Sequence, residues 1–359
     1  MFTKINLLIN CVLRFSRNTV LFFFILALAS CSGDDVPANN RYQFKQPENF
    51  PNAVYTFDNN PVTEDGFELG RALFYDPVLS IDSSVSCAAC HQQARAFIDP
   101  VHRLSRGVNA AEGIRNAPAI QNMAFQNNFF WDGGVKHLDF VPINAITNPV
   151  EMHESLVHVI EKLNRSKFYP KQFKKAFGEG EITSQQMLYA LSQFMNMMVS
   201  ANSRYDKWVR NEGESLTTEE LEGLNLFQSK CSSCHATDLF TDDSFRNNGL
   251  DETFLNDTGR QRITESEEDA GKFKVPSLRN AEITYPYMHD GRFKTLNDVL
   301  NHYASGVKSS ATLDPTLNQN AQLGIALTET EKTRIIAFIK TLTDDEFIKS
   351  KMFTNPFTK

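Results

Sequence analysis

The chain has 359 residues, of which 41% are apolar and 22% charged, with a formal net charge of −7. This length allows two domains of ordinary size, each with its own core. The acidic balance argues against a nucleic-acid partner and suits a basic protein partner met by charge steering, although solubility alone explains it as well.

Taken in order, the chain opens with Lys4, Arg14 and Arg17, then an apolar run from Val20 to Ala29. This layout matches a secretory signal. The run is too short to cross a bilayer, which takes about 20 apolar residues. Leu28-Ala29-Ser30-Cys31 resembles a bacterial lipobox. By that resemblance residues 1–30 are a lipoprotein-type signal peptide, Cys31 becomes lipidated, and the protein is held in the periplasm by a lipid anchor. Residues 31–56 are polar, contain Pro37, Pro47 and Pro51, and read as a flexible tether.

A first domain is expected over residues 57–212. Thr63 is placed to cap a helix with Phe67, Leu73 and Phe74 on its inner face, leading to Cys87-Ala88-Ala89-Cys90-His91. From His91 to about Glu154 the chain is rich in Asn, Gly and Pro and has little period. Long irregular stretches in compact proteins are usually functional. Helices return over Ser155–Asn164 and Ser184–Ser200. In the second, Met187, Leu191, Phe194, Met195 and Met198 form a stripe that reads as core rather than as ligands.

A second domain is expected over residues 213–359. It begins with a capping box at Thr217-Thr218-Glu219-Glu220 and a helix carrying Leu221, Leu224 and Phe227 into Cys231-Ser232-Ser233-Cys234-His235. Further capped helices start at Thr295, with Leu296, Val299, Leu300 and Tyr303 on one face, and at Thr328, with Ile335, Ile336, Ile339 and Leu342. The last helix is free to pack back on the first domain. No stretch alternates as a sheet does, so the expected class is all-α.

Two C-x-x-C-H runs carry the chemistry. Two thiols one helical turn apart add to the vinyl groups of a haem, and the next imidazole reaches its iron. The alternatives are a redox dithiol, which needs no following histidine, and a four-cysteine zinc site, which leaves both histidines idle. Two covalent c-type haems follow, bound by Cys87, Cys90 and His91 and by Cys231, Cys234 and His235. With Cys11 in the signal and Cys31 lipidated, none of the six cysteines remains for a disulfide. After the first motif come Arg115-Asn116-Ala117 and Trp131-Asp132-Gly133; after the second, Arg279-Asn280-Ala281 and His289-Asp290-Gly291. The repeated order suggests two cytochrome c-like haem domains related by internal duplication.

These stretches, with Leu73-Phe74-Tyr75-Asp76-Pro77, Pro149-Val150-Glu151-Met152, Phe273 to Asn280 and Thr284 to Gly291, resemble the bacterial diheme cytochrome c peroxidase family. That family includes the enzyme that matures the tryptophylquinone of methylamine dehydrogenase. The resemblance implies a peroxide site at the His91 haem and electron entry at the His235 haem, with Trp131 between them. It also implies hydrogen peroxide as oxidant, a small c-type cytochrome or similar electron donor, Glu151 as acid–base group, and calcium held by Asn116, Thr284 and Pro286. A homodimer is left open. Taken alone, Glu151 reads first as a solvated glutamate, and only the surrounding Pro149-Val150-Glu151-Met152 run reverses that; Trp131 also reads as a core filler.

Two departures from the better-known peroxidases stand out. Where those carry a histidine ligand, alignment on Gly107 and Gly113 puts Val108, and His102 falls out of register and is expected on the surface. Where those carry a methionine on the second iron, this chain has Tyr303, as in the tryptophylquinone-maturing enzyme; a packed core tyrosine is the plain alternative. The peroxidase reading therefore has two rivals: an oxidase of a protein side chain through long-range hole transfer, and a plain electron carrier, which Val108 disfavours.

Overall fold

The computed structural model describes residues 42–358. The expected signal and Cys31 lie outside the described residues. Residues 44–358 fall within a single compact unit. Among the described residues, no helix is long and apolar enough to cross a membrane.

The fold is helix-rich, with a correction to all-α: Phe245–Arg246 (β1) pairs antiparallel with Phe273–Lys274 (β2), and Asn318–Gln319 (β3) with Gln322–Leu323 (β4). At two residues each, these strands are too short to show an alternating pattern. A second correction concerns the tether, expected to run to residue 56. Phe50 and Tyr55 are buried, Phe50 packs edge-on against Phe125 at 5.2 Å, and the amides of Val54 and Tyr55 both donate to Ala124 O. Aromatic residues inside a polar, proline-bearing stretch anchor it where composition alone suggested freedom.

Helix α1, Glu64–Tyr75, starts at the expected Thr63, whose hydroxyl accepts from Gly66 N. Beyond α2, Cys87–Cys90, come α3 (Val141–Thr147), α4 (Leu156–Arg165, capped by Ser155) and α5 (Tyr169–Phe177). Sequence reading missed α5, whose Pro170 and lysines hide its inner pair, Tyr169 and Phe173. Helix α6, Ser184–Asn196, opens with a capping box and stops before the expected Ser200. Met187, Leu191, Phe194, Met195 and Met198 are all buried. A short α7 (Arg204–Val209) leads to α8 (Thr218–Lys230), capped reciprocally by Thr217 and Glu220. Helix α9 is Gln261–Thr264 and α10 is Leu296–Asn301. The helix expected to carry Tyr303 gives way to a π turn over His302–Gly306, a distortion frequent at functional sites. Helices α11 (Glu329–Lys340) and α12 (Asp345–Lys349) complete the order.

Two helix pairs frame the two motifs in the same way. Gly70 of α1 lies so close to α6 that an added Cβ would strike the Ala190 carbonyl and come within 3.0 Å of Phe194 Cβ. Gly223 of α8 meets α11 identically: the Arg334 carbonyl and, at 3.0 Å, Phe338 Cβ. Rings repeat this match. Phe74 sits 5.2 Å from Phe194 and 6.0 Å from Phe97, while Phe227 sits 5.2 Å from Phe338 and 5.7 Å from Phe240. The chain's last segment returns to the first of these clusters. Phe347 and Phe353 pack on Phe97, and Tyr75 Oη donates to Phe353 O at 2.6 Å.

A buried polar network ties the halves. Arg279 and Asp206, both fully buried, form a two-pronged ion pair with contacts of 2.6 and 2.8 Å. Asn280 donates to Gln121 and Ser200 and accepts from Asp344 N. Burial alone would raise the Asp206 pKa, but Arg279 and Ser203 hold it below the usual range. Such a pair is costly to break from one side only.

Candidate active site

Each C-x-x-C-H run arranges its groups for a haem. In the first, Cys87 and Cys90 bracket a single turn and His91 N donates to Cys87 O. In the second, His235 N donates to Cys231 O at 3.0 Å. All four cysteines are free. Burial pushes the thiols up, Cys87 to about 12, Cys90 to about 11 and Cys231 to about 12. Burial therefore works against a redox dithiol, which is served by the opposite shift.

The histidines are pre-set in the same manner. His91 Nδ1 bonds Phe97 O at 2.8 Å and His235 Nδ1 bonds Phe240 O at 3.0 Å. A bonded Nδ1–H fixes the tautomer and leaves Nε2 bare for iron. Burial lowers both pKa values, which keeps the rings neutral as ligands must be. The residues present therefore fit two c-type haems.

At the first site Glu151 lies near both thiols: after burial, its charge is among the causes that raise Cys87 and Cys90. Its backbone is clamped, since Val108 N donates to Glu151 O at 2.8 Å and any side chain at Gly107 would strike that carbonyl. The side chain accepts from Asn148 Nδ2 at 2.7 Å. The residue keeps solvent access, yet protein crowding raises its pKa, with Asn148 opposing. Val108 is buried beside this acid and offers iron no donor atom. His102, expected on the surface, keeps a side chain 37% exposed while bonding Asp99 at 3.2 Å, a buried carboxylate whose charge reaches His91.

At the second site Tyr303 is close enough to Cys231 and Cys234 to feel their charges. Burial pushes its phenol up to about 12, and a hydrogen bond with Asn248 opposes this. Asn248 also donates to Met288 Sδ at 3.4 Å and, through its carbonyl, bonds His302 Nε2 at 2.9 Å.

Between the motifs, Trp131 Nε1 donates to Asn116 O at 2.8 Å and Trp131 O accepts from Lys274 N. Asn116 sends its amide nitrogen to Arg103 O. Gly291, by Pro286 and Arg103 O, brings Pro286 to the same locality, whereas no contact places Thr284 there. Arg115 grips Asp257 and Asp132 next to Trp131. A cavity of about 660 Å³ lies alongside, lined in part by Arg103, Asn248, Asp257, Phe273, His289 and Arg292. There His289 stacks on Phe273 at 3.6 Å, and burial lowers its pKa to about 4. Sequence reading missed Asn148 and Asn248. The first was within reach, because Asn148-Pro149 marks a turn beside Glu151; the second had no local signal.

Two haem-attachment pockets, one with the Asn148-bonded carboxylate of Glu151 beside a valine that offers no ligand, define a diheme oxidoreductase of the peroxidase class. Residues 64–214 match the family model for di-haem cytochrome c peroxidase. The chain is 34% identical over 321 residues to the methylamine utilization protein MauG of Methylorubrum extorquens, covering 88% of this chain and 87% of that protein. It is 35% identical over 293 residues to cytochrome c551 peroxidase of Nitrosomonas europaea, covering 80% and 82%. A crystal structure of a MauG-like protein associated with microbial copper homeostasis superposes with a TM-score of 0.80 at 30% identity, covering 88% of this chain and 99% of that one. The chain belongs to the diheme cytochrome c peroxidase family, which includes the MauG branch.

Proposed function

We propose that the protein reduces hydrogen peroxide to water at the Cys87-Cys90-His91 pocket with two electrons from a small c-type cytochrome, entering at the Cys231-Cys234-His235 pocket. When bound, the haems supply the iron that meets peroxide and the iron that receives electrons. Glu151 carries the reading: it stands by both first-pocket thiols, clamped by Val108 and Asn148. Its carboxylate takes the proton from the near oxygen and returns it to the departing one, so water leaves instead of hydroxide. Trp131, tied to Asn116, carries charge between the pockets. Asn116 and Pro286, brought to one locality by Arg103 O, supply oxygen donors suited to calcium, with Thr284 added on the resemblance alone. The matched Gly70 and Gly223 contacts support an origin of the two haem domains, 57–212 and 213–359, by duplication. Export, the lipid on Cys31 and a homodimer rest on the sequence and its resemblance. Steady-state peroxide consumption with reduced small cytochromes c tests the reading; turnover equal with and without donor overturns it.

A second reading, oxidation of a protein partner's side chain by hole transfer, is favoured by Tyr303 beside Cys231 and Cys234 and by the MauG relative. A phenolate on the second iron lowers its potential, whereas methionine raises it. Resonance Raman decides this point: tyrosinate–iron modes support Tyr303 as ligand, and their absence removes it.

A further inference from the structure

The phenol of Tyr205 is placed unlike any other in the second pocket's surroundings. Its ring lies 5.2 Å from Phe240 and 5.8 Å from Phe338, and it is the Phe240 carbonyl that holds His235 Nδ1. Tyr205 Oη donates to Asp238 Oδ1 at 2.7 Å. Three residues along α7, on the same helix face, half-buried Trp208 stands 6.0 Å from the Tyr205 ring. At the first pocket the corresponding place is filled by Phe353, 6.3 Å from both Phe97 and Phe194, which has no oxygen to ionise. Two other buried or partly buried tyrosines bond carboxylates, Tyr55 with Asp139 and Tyr169 with Asp76. Neither ring touches a residue that holds a haem histidine.

We propose that Trp208 and Tyr205 form a one-electron relay between the protein surface and the second haem, with Asp238 as the proton acceptor of Tyr205. A carboxylate alone is an ordinary partner for a buried tyrosine, as Tyr55 and Tyr169 show; what a relay needs, and Tyr205 has, is that carboxylate together with a tryptophan on one side and the histidine-holding Phe240 on the other. A neutral phenol is hard to oxidise unless its proton leaves with the electron. One electron passes from Tyr205 to the haem at His235, previously oxidised by one electron when peroxide is reduced. The Oη–H bond breaks, a new O–H bond forms on Asp238 Oδ1, and a neutral tyrosyl radical remains. Trp208 then gives one electron back while Asp238 returns the proton, restoring the phenol. The tryptophan radical cation is reduced in turn by a one-electron donor at the surface. At the first pocket Phe353 fills the matching place and the nearby Tyr75 phenol donates to a backbone carbonyl, not to a carboxylate, so the relay belongs to the second pocket.

The relay rests on the peroxidase activity, and the experiment separates failure of the two. Diferric holoenzyme is mixed with peroxide without donor, in the presence of a nitroso spin trap. Adducts are then located by tandem mass spectrometry, alongside freeze-quench electron paramagnetic resonance. Adducts are expected at Tyr205 and Trp208. Tyr205→Phe, which keeps the ring, should remove the Trp208 adduct while leaving both haem spectra and the thermal midpoint intact. Asp238→Asn should slow radical formation by about 10²-fold, the scale of one lost proton acceptor. An undiminished Trp208 adduct in Tyr205→Phe, or adducts confined to Trp131, would overturn the relay with the peroxidase reading intact. Haem bands indifferent to peroxide in the wild type would overturn both.

Discussion

The two haem pockets are built on one plan and finished differently. In each, a helix packed through a glycine delivers a phenylalanine, Phe74 or Phe227, against the ring whose carbonyl orients the iron-binding histidine, Phe97 or Phe240. The finishing residues then diverge. The first pocket receives Glu151 in front and Phe347 with Phe353 behind; the second receives Tyr303 with Asn248, and Tyr205 behind. Shared scaffolding fixes haem geometry, and the few residues that differ set what each haem does. On the proposed reading, proton handling falls to the pocket with Glu151 and phenol chemistry to the pocket with Tyr303 and Tyr205.

The strongest test of that division is to delete one haem at a time. Cys87→Ala should leave a single haem by pyridine haemochrome assay and reduce peroxide turnover to background. Cys231→Ala should keep a single pulse of reaction with peroxide but lose continuous turnover; equal residual turnover in both would erase the distinction. Next, Phe353→Ala should cost about 3 to 5 kcal/mol, the usual range for a buried phenylalanine, and alter only the first haem's spectrum. If chemical denaturation shows no loss, or both haems change, the returning segment does not serve the first pocket.

Glu151→Gln should slow peroxide consumption about 10²-fold with both haem spectra preserved. Because crowding by the surrounding protein raises the Glu151 pKa, the proton-accepting carboxylate is lost as pH falls through that raised pKa. Rates should therefore climb with pH across that value, and Glu151→Gln should flatten the climb. Tyr303→Met should raise the midpoint potential of the second haem and leave the first in place, the direction expected when an anionic oxygen gives way to a thioether; spectroelectrochemistry reads it. The smallest effect is Thr217→Ala. Losing the capping box of α8 should cost about 1 kcal/mol by thermal or denaturant unfolding, without touching either spectrum.

The local parts of this design were legible in the sequence. Thr63, Thr217, Thr295 and Thr328 each cap a helix as read, because capping depends on residues within one turn. The haem motifs are likewise contiguous. What could not be read was assembled across distance. Residues 44–56 looked like a tether because nothing nearby in sequence shows that Phe50 meets Phe125 and Arg279. His102 was read as a surface residue, but its bond to the buried Asp99 was not legible. Tyr205 drew no attention, since its partners Asp238 and Phe240 come from another segment.

The return of the C-terminal segment has a consequence for biogenesis. Phe347 and Phe353 lie beyond the second motif in the chain yet belong to the pocket of the first motif's cysteines. The second pocket draws its walls from residues 205–342 and can close as soon as these have emerged. The first lacks its back wall until the tail is in place, so its haem-binding motif stays open until the chain beyond residue 342 has folded onto Phe97.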